Sequence, residues 1–279
     1  MNTNKIIIRA SSLNDFTDCG RRAATKIIPK IIDAAGFKLE TLKNGAPALI
    51  GTASHKVMEY TLSNKIKTGE IGTFKDAKES ALEEWLKISS ESELIWDGST
   101  PNNATAEKQI IAIGATYFNM FAPNRNPVAT EIYFEANAGD GFLLTGHADD
   151  LEADGVLRDF KTGANESNYS AQLGAYSLLA RSNGHKINGL GVDWIPRKPA
   201  ASVMDYHEKE YNLNASENVA RNILSNIKNS IQNFRENGNE WSFMANPSSR
   251  LCSAKFCAAY GTDFCDYTKA AKQNKQNKG

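Results

Sequence analysis

Apolar residues recur at nearly helical spacing through Leu13, Phe16, Ala23, Ile27 and Ile31, which predicts a helix to about Ala34, capped by Ser11 or Ser12. Pro29 falls inside that span and predicts a kink or a split. Pro47 suits the first turn of a second helix, APALIGTASHKVMEYTLSNKI, and FKDAKESALEEWLKI and TAEKQIIAIGATYFNMF continue the helical pattern. The first half of the chain therefore reads as mostly helical. The pattern then shifts to short segments rich in β-branched and aromatic residues, ATEIYFEA, FLLTGHADDLEA and VLRDFKT, separated by Gly139-Asp140-Gly141 and by Asp154-Gly155. These predict a three-stranded meander. A helix from about Tyr169 to Arg181 follows, then strands near INGLGVDWIP and ASVMDYHEKEY, then a long helix across ENVARNILSNIKNSIQNF. Strands with helices on both sides predict an α/β or α+β sandwich.

A chain of 279 residues with 41% hydrophobic content is long enough for one large core with attachments. Its 32 basic and 32 acidic residues cancel, so any phosphate-binding surface must come from local clustering of charge. No apolar run approaches the roughly 18 residues that cross a bilayer, and the opening MNTNKIIIRA is too short and too polar after Ile8 for a secretory signal. A cytosolic protein without a membrane partner is the expectation. The last dozen residues, TKAAKQNKQNKG, lack apolar content and read as a disordered, weakly basic tail.

Side chains alternate along a strand, so in VLRDFKTG residues Leu157, Asp159 and Lys161 share one face, and Asp159 and Lys161 project together. Asp149 stands near the end of the preceding strand, and the Asp154-Gly155 turn folds the two strands together, setting Asp149 beside Asp159. Converging carboxylates repel, and a hard divalent cation, Mg2+ or Mn2+, is the usual relief. Such an ion acidifies water and stabilises charge on a phosphate, while a neighbouring lysine orients the water or neutralises the anion. By itself D-x-K also describes a surface ion pair beside a turn. Context comes from the next helix, where Gln172 and Tyr176 lie four residues apart on one face and would sit next to the site. His55 fits a nitrogen ligand added to the carboxylate pair, a mixed set suited to Mn2+, with Glu59 one turn later and Glu131 in the first meander strand as further candidates. Each of these residues also has an ordinary reading as a surface or structural side chain.

The order GTASH, GHAD, DFKTG and QLGAY resembles the RecB-type branch of the PD-(D/E)XK nucleases over roughly Ser11 to Arg181. The resemblance implies a restriction-endonuclease-like core, a mixed central sheet flanked by helices. It also implies His55, Asp149 and Asp159 as metal ligands, Lys161 as the catalytic lysine, and Gln172 with Tyr176 as support on the DNA side. On this reading residues 1–268 form one nuclease domain: a helical part over about 11–122, a catalytic sheet and its helices over about 128–236, and a Cys-rich closure over about 246–268. Residues 269–279 are the tail.

The four cysteines are unevenly placed, with Cys19 near the start and Cys252, Cys257 and Cys265 near the end. Four thiolates suit an iron-sulfur cluster or a structural zinc, and four unrelated buried thiols are the alternative. One cysteine early and three late resembles the iron-sulfur-stapled RecB-like nucleases, AddB-type and CRISPR-associated exonucleases among them, which implies a structural [4Fe-4S] cluster tying the two ends together.

No G-x-x-x-x-G-K-[ST] is present, so ATP-driven unwinding would have to come from a helicase or recombinase partner. No base-reading element is visible either, so the expected substrate is DNA contacted through its backbone, with a single-stranded end threaded past the metal. The expectation is an exonuclease of recombination, repair or phage DNA processing, in bacterial or phage-infected host cytoplasm. A non-catalytic nuclease-like DNA-binding module is the alternative. A zinc hydrolase of small molecules ranks last, because His147, His185 and His207 lack close ligand spacing.

Overall fold

The computed structural model describes residues 5–198 and 205–269. The chain opens with β1 (Ile6–Arg9), three short helices α1 (Ser12–Asp18), α2 (Gly20–Ile27) and α3 (Pro29–Ala34), and the two-residue strand β2 (Asn44–Gly45). Then come α4 (Ala46–Thr68), α5 (Phe74–Ser90), the two-residue β3 (Leu94–Ile95) paired with β2, and α6 (Asn103–Thr116). The second half contains β4 (Pro127–Gly139), β5 (Phe142–Glu152), β6 (Val156–Lys161), α7 (Ser170–Ser182), β7 (Gly189–Trp194), β8 (His207–Tyr211) and α8 (Leu213–Asn237).

The expected meander is present: β4, β5 and β6 are successively antiparallel. The Gly139-Asp140-Gly141 turn needs three consecutive positive φ angles, +79°, +54° and +82°, which explains its glycines. The first predicted helix is instead three. Cys19 is extended, with φ −157° and ψ 109°, and breaks the helix before Gly20, while Pro29 starts α3 as the sequence suggested. Ser11 holds the N-cap position in a helical conformation and makes no capping bond with its side chain. Of the segment ASVMDYHEKEY only the end pairs as β8, and residues 201–204 lie outside the described residues, as does the tail beyond Lys269.

One strand escaped the sequence pattern. Ile6–Arg9 is an apolar run too short to show a period, yet it pairs in parallel with Phe142–Thr145 of β5. Since β4 occupies one edge of β5 along nearly all its length, β1 and β6 must share the other edge end to end. From β6 the sheet continues to β7, parallel, and β8, antiparallel. The sheet is thus mixed, with helices on both faces.

Each face has its own core. On one, Leu157 of β6 packs in a cluster with Leu13, Ile28, Leu173, Leu179, Ile227 and Phe234 from α1, the end of α2, α7 and α8. On the other, Phe160 joins Ile50, Val57, Trp85, Ile110 and Tyr117 from α4, α5, α6 and the π-type turn Tyr117–Phe121. Alternation along β6 therefore feeds both cores. α7 and α8 approach closely at Gly174, where an added Cβ would lie 2.0 Å from the carbonyl oxygen of Ser216. Backbone cannot yield as a side chain can, so Gly174→Ala should cost about 1–3 kcal/mol or more and lower the melting temperature.

Near the far end of β5 the sheet holds a buried charge network. Arg125 grips Asp193 with two bonds, Nε to Oδ2 at 2.9 Å and Nη2 to Oδ1 at 2.7 Å. Arg158 lies 3.3 Å from Glu152 and 3.4 Å from Glu208. Asp150 is 2% exposed, and neither carboxylate oxygen has a hydrogen-bond partner among the described residues. Burial, then repulsion from Glu152 and Asp193, pushes its carboxyl up to about 8 despite the two arginines. The folded protein thus binds a proton that the unfolded chain releases near pH 4, so this contribution is present at low pH and lost as pH rises through about 8. Asp150→Asn, isosteric with the neutral acid, should raise the melting temperature at pH 9, with the gain shrinking toward pH 5 in thermal scans across that range.

Candidate functional site

The ladder between β5 and β6 pairs Asp150 with Arg158 and Leu151 with Leu157, and then stops. One register step on, where Asp149 would face Asp159, the Asp149 carboxylate takes over from the main chain: Phe160 N donates to Oδ2 at 2.6 Å. The strands part around that carboxylate without orphaning the amide.

Asp159, 2% exposed, carries the second carboxylate. Lys161 Nζ lies 2.6 Å from its Oδ2 as an ion pair, and Gln172 Nε2 lies 3.3 Å from its Oδ1. Gln172 also donates to the Tyr176 hydroxyl at 2.7 Å, and both side chains are buried. The predicted α7 pair therefore steadies Asp159 from inside the protein. Gly146 permits this packing, since a Cβ there would meet the Tyr176 ring at 2.7 Å.

α4 covers the opening from the other side and sets His55 Nδ1 3.5 Å from Asp149 Oδ1. Glu131 arrives from β4 through a φ of +51°, in the left-handed region that non-glycine residues seldom adopt. It also has no partner in the β4–β5 register, between Thr130 with Asp150 and Ile132 with Ala148. His55, Glu131 and Asp149 each offer a ligand atom, all within 4.8 Å of one another, the one such group of three or more His, Cys, Asp or Glu residues among the described residues. Asp159 lies beside this group, held by Lys161. Glu59 lines the same cleft, with its carboxylate 2.5 Å from Lys56 Nζ.

The electrostatics follow from this crowding. Burial, followed by the Asp149 charge, pushes Glu131 up to about 7. Burial also raises Asp159, to about 6, with Lys161 opposing and Asp149 adding to the rise. Asp149 is moved down, because His55 and Lys161 together with the Phe160 amide outweigh its desolvation. His55 moves up: burial opposes its charge, and Asp149 beside it prevails. Such opposed shifts within one cleft mark a site built to hold charge.

A sequence model of the PD-(D/E)XK nuclease superfamily matches residues 9–268. The chain belongs to the PD-(D/E)XK nuclease superfamily. No curated protein matches it in sequence. Among solved structures, a protein from Eubacterium rectale provisionally named an exonuclease superimposes with a TM-score of 0.59 at 13% identity, over 90% of this chain and 88% of that one, a likeness of fold. The structure of SSO0001 gives a TM-score of 0.26 at 12% identity over 71% of this chain and 83% of that one, too low to bear on the fold.

In this superfamily member the cleft, about 630 Å³, is bordered also by residues the sequence reading passed over: Thr52, Lys56, Tyr169 and Arg197. Lys161 Nζ sits 5.3 Å from the Tyr169 ring centroid, a cation–π contact. Arg197 reaches Ser99 and Thr100 across a sequence separation that no local pattern could reveal. Among the described residues no helix is long and apolar enough to cross a membrane.

The four cysteines are free thiols. All four line one small cavity of about 20 Å³, walled also by Arg21 and Arg22, so the two ends of the chain do meet there. Among the described residues no three of their sulfurs come within 4.8 Å of one another. Burial pushes Cys257 up to about 11 and also raises Cys252.

Added Mn2+ should raise the melting temperature, by an amount equivalent to about 2.7 kcal/mol at a hundred times its dissociation constant. Asp149→Asn and Glu131→Gln should each reduce that rise in a thermal-shift titration, whereas Glu59→Gln should leave it nearly unchanged.

Proposed function

We propose that this chain is a metal-dependent DNA exonuclease of the RecB-like branch, hydrolysing backbone phosphodiesters from a single-stranded or frayed end. The observation that carries the reading is the convergence of the His55, Glu131 and Asp149 donor atoms beside the Asp159–Lys161 pair in an open cleft. One nitrogen and two carboxylate donors, with Glu131 pushed up to about 7 by burial and the Asp149 charge, fit Mg2+ or Mn2+. His55, Glu131 and Asp149 would hold the ion, and Asp159, paired with Lys161 beside them, would be a further carboxylate ligand. A divalent ion held there supplies Lewis-acid charge and lowers the pKa of a water.

The remaining chemistry belongs to side chains. Lys161, whose charge is favoured by Asp159 and Asp149 over the cost of burial, neutralises negative charge developing on the phosphate. Gln172 holds Asp159 in position and is itself held by Tyr176. Lys56, part-exposed on the cleft wall, draws a nucleic-acid backbone toward the site. Residues 1–268 act as one nuclease unit, with DNA unwinding left to a helicase or recombinase partner.

The cysteines hold a structural [4Fe-4S] cluster in this reading. A tetrahedral zinc site, with Zn–S of about 2.3 Å, needs all its sulfurs about 3.8 Å apart, whereas among the described residues no three of these thiols lie within 4.8 Å of one another. A cluster with a thiolate at each corner accepts wider spacing. Cys257→Ala should accordingly lower yield and stability more than the intrinsic chemical rate.

End-labelled single- and double-stranded DNA, with Mg2+ or Mn2+ in turn, tests the catalytic reading. Asp159→Ala and Lys161→Ala should each reduce cleavage by at least roughly 10²-fold while leaving the protein folded. Covalently closed circular DNA should stay intact. Normal cutting by the lysine variant sinks the mechanism, and rapid cutting of circles makes the enzyme an endonuclease.

A further inference from the structure

Arg21 and Arg22 are among the most buried charged side chains in the protein, at 1% and 3% exposure, and both line the cysteine cavity. Each is anchored on its outer side. Arg21 Nη1 pairs with Asp266 at 2.7 Å and its Nε donates to the Phe243 carbonyl, while the Trp241 ring covers the guanidinium. Arg22 Nη2 pairs with Asp18 at 2.8 Å and with Asp15 at 3.3 Å. Yet Nη2 of Arg21 and Nε of Arg22 are buried with no hydrogen-bond partner among the described residues. An unmet cationic donor in the interior is costly, more so than a neutral one. Two of them beside four thiols point to an anionic acceptor in that cavity.

Resting on the iron-sulfur reading above, we propose that Arg21 and Arg22 are positioning residues for the cluster, supplying its thiolates with positive charge and buried N–H donors. Four thiolates around an oxidised [4Fe-4S] core of charge +2 carry a net charge of −2, and reduction by one electron makes it −3. Each guanidinium therefore favours the reduced form more than the oxidised one, and N–H donation to sulfur acts in the same sense. The flanking carboxylates do not cancel this effect, because Asp266, Asp18 and Asp15 are part-exposed and screened by solvent. They hold the guanidiniums in place at the cavity wall. Only Gly20 separates the pair from Cys19, so the N-cap and first turn of α2 bring a thiol and both cations to the same cavity.

The test uses the full chain purified without oxygen, measuring iron, acid-labile sulfide, absorption near 400 nm and the reduction potential by titration. Arg22→Gln and Arg21→Gln should each move the potential to more negative values and release iron to a chelator roughly tenfold faster. Arg22→Lys, which keeps the charge but loses the fork, should fall between Arg22→Gln and the parent. If Arg22→Gln does not fold, the lysine variant alone decides, since a negative shift supports the assignment and an unchanged potential overturns it. A cluster present in the parent with its potential unmoved in all variants overturns the role of the arginines alone. A parent chain holding zinc, or no iron and sulfide, overturns the cluster itself.

Discussion

The constraint on which the site depends is that two strands, β1 and β6, share a single edge of β5. Between the end of one pairing at Thr145 and the start of the other at Asp150, that edge of β5 is paired with no strand among the described residues. The gap would normally leave main-chain groups unmet, and Asp149 meets one of them by accepting the Phe160 amide. The same bond fixes the carboxylate between the strands, where His55, Glu131 and Lys161 reach it. Breaks in sheet order are where open α/β sheets place their ligands, for the same reason: strand ends diverge and leave room.

Around that gap, each face of the sheet contributes something different. The α7 face brings Gln172 and Tyr176, buried and bonded to Asp159, which gives the second carboxylate a fixed orientation. The α4 face brings His55 and the open cleft. Farther along β5, the Arg125–Asp193 network ties β5, β6, β7 and β8 together behind the site. Such a buried network adds little net stability, yet its charged groups tolerate few other arrangements.

The protein also separates two kinds of donor. Nitrogen and oxygen ligands gather in the cleft, where a hard divalent ion suits them. The soft sulfur donors gather with two arginines where the first helices meet the C-terminal segment.

Much of this was legible in the residues alone. The helical spacing of α4, α5 and α8, the strand alternation of β5 and β6, and the Asp154-Gly155 turn are local, and they predicted an α/β or α+β sandwich and the approach of Asp149 to Asp159. Local pattern failed where the cause lay elsewhere in the chain. β1 is recognised only by the β5 edge it fills, and the break at Cys19 occurs where the chain delivers that thiol to the cavity. Glu131 showed as one carboxylate among several in a strand; only the positive φ at that position turns it to His55 and Asp149, while Asp159 is held by Lys161. Residue type and spacing determine which side chains share a face, because a strand or helix repeats every few residues. Which faces meet is decided by packing between distant segments, and so is the way each buried charge finds its partner.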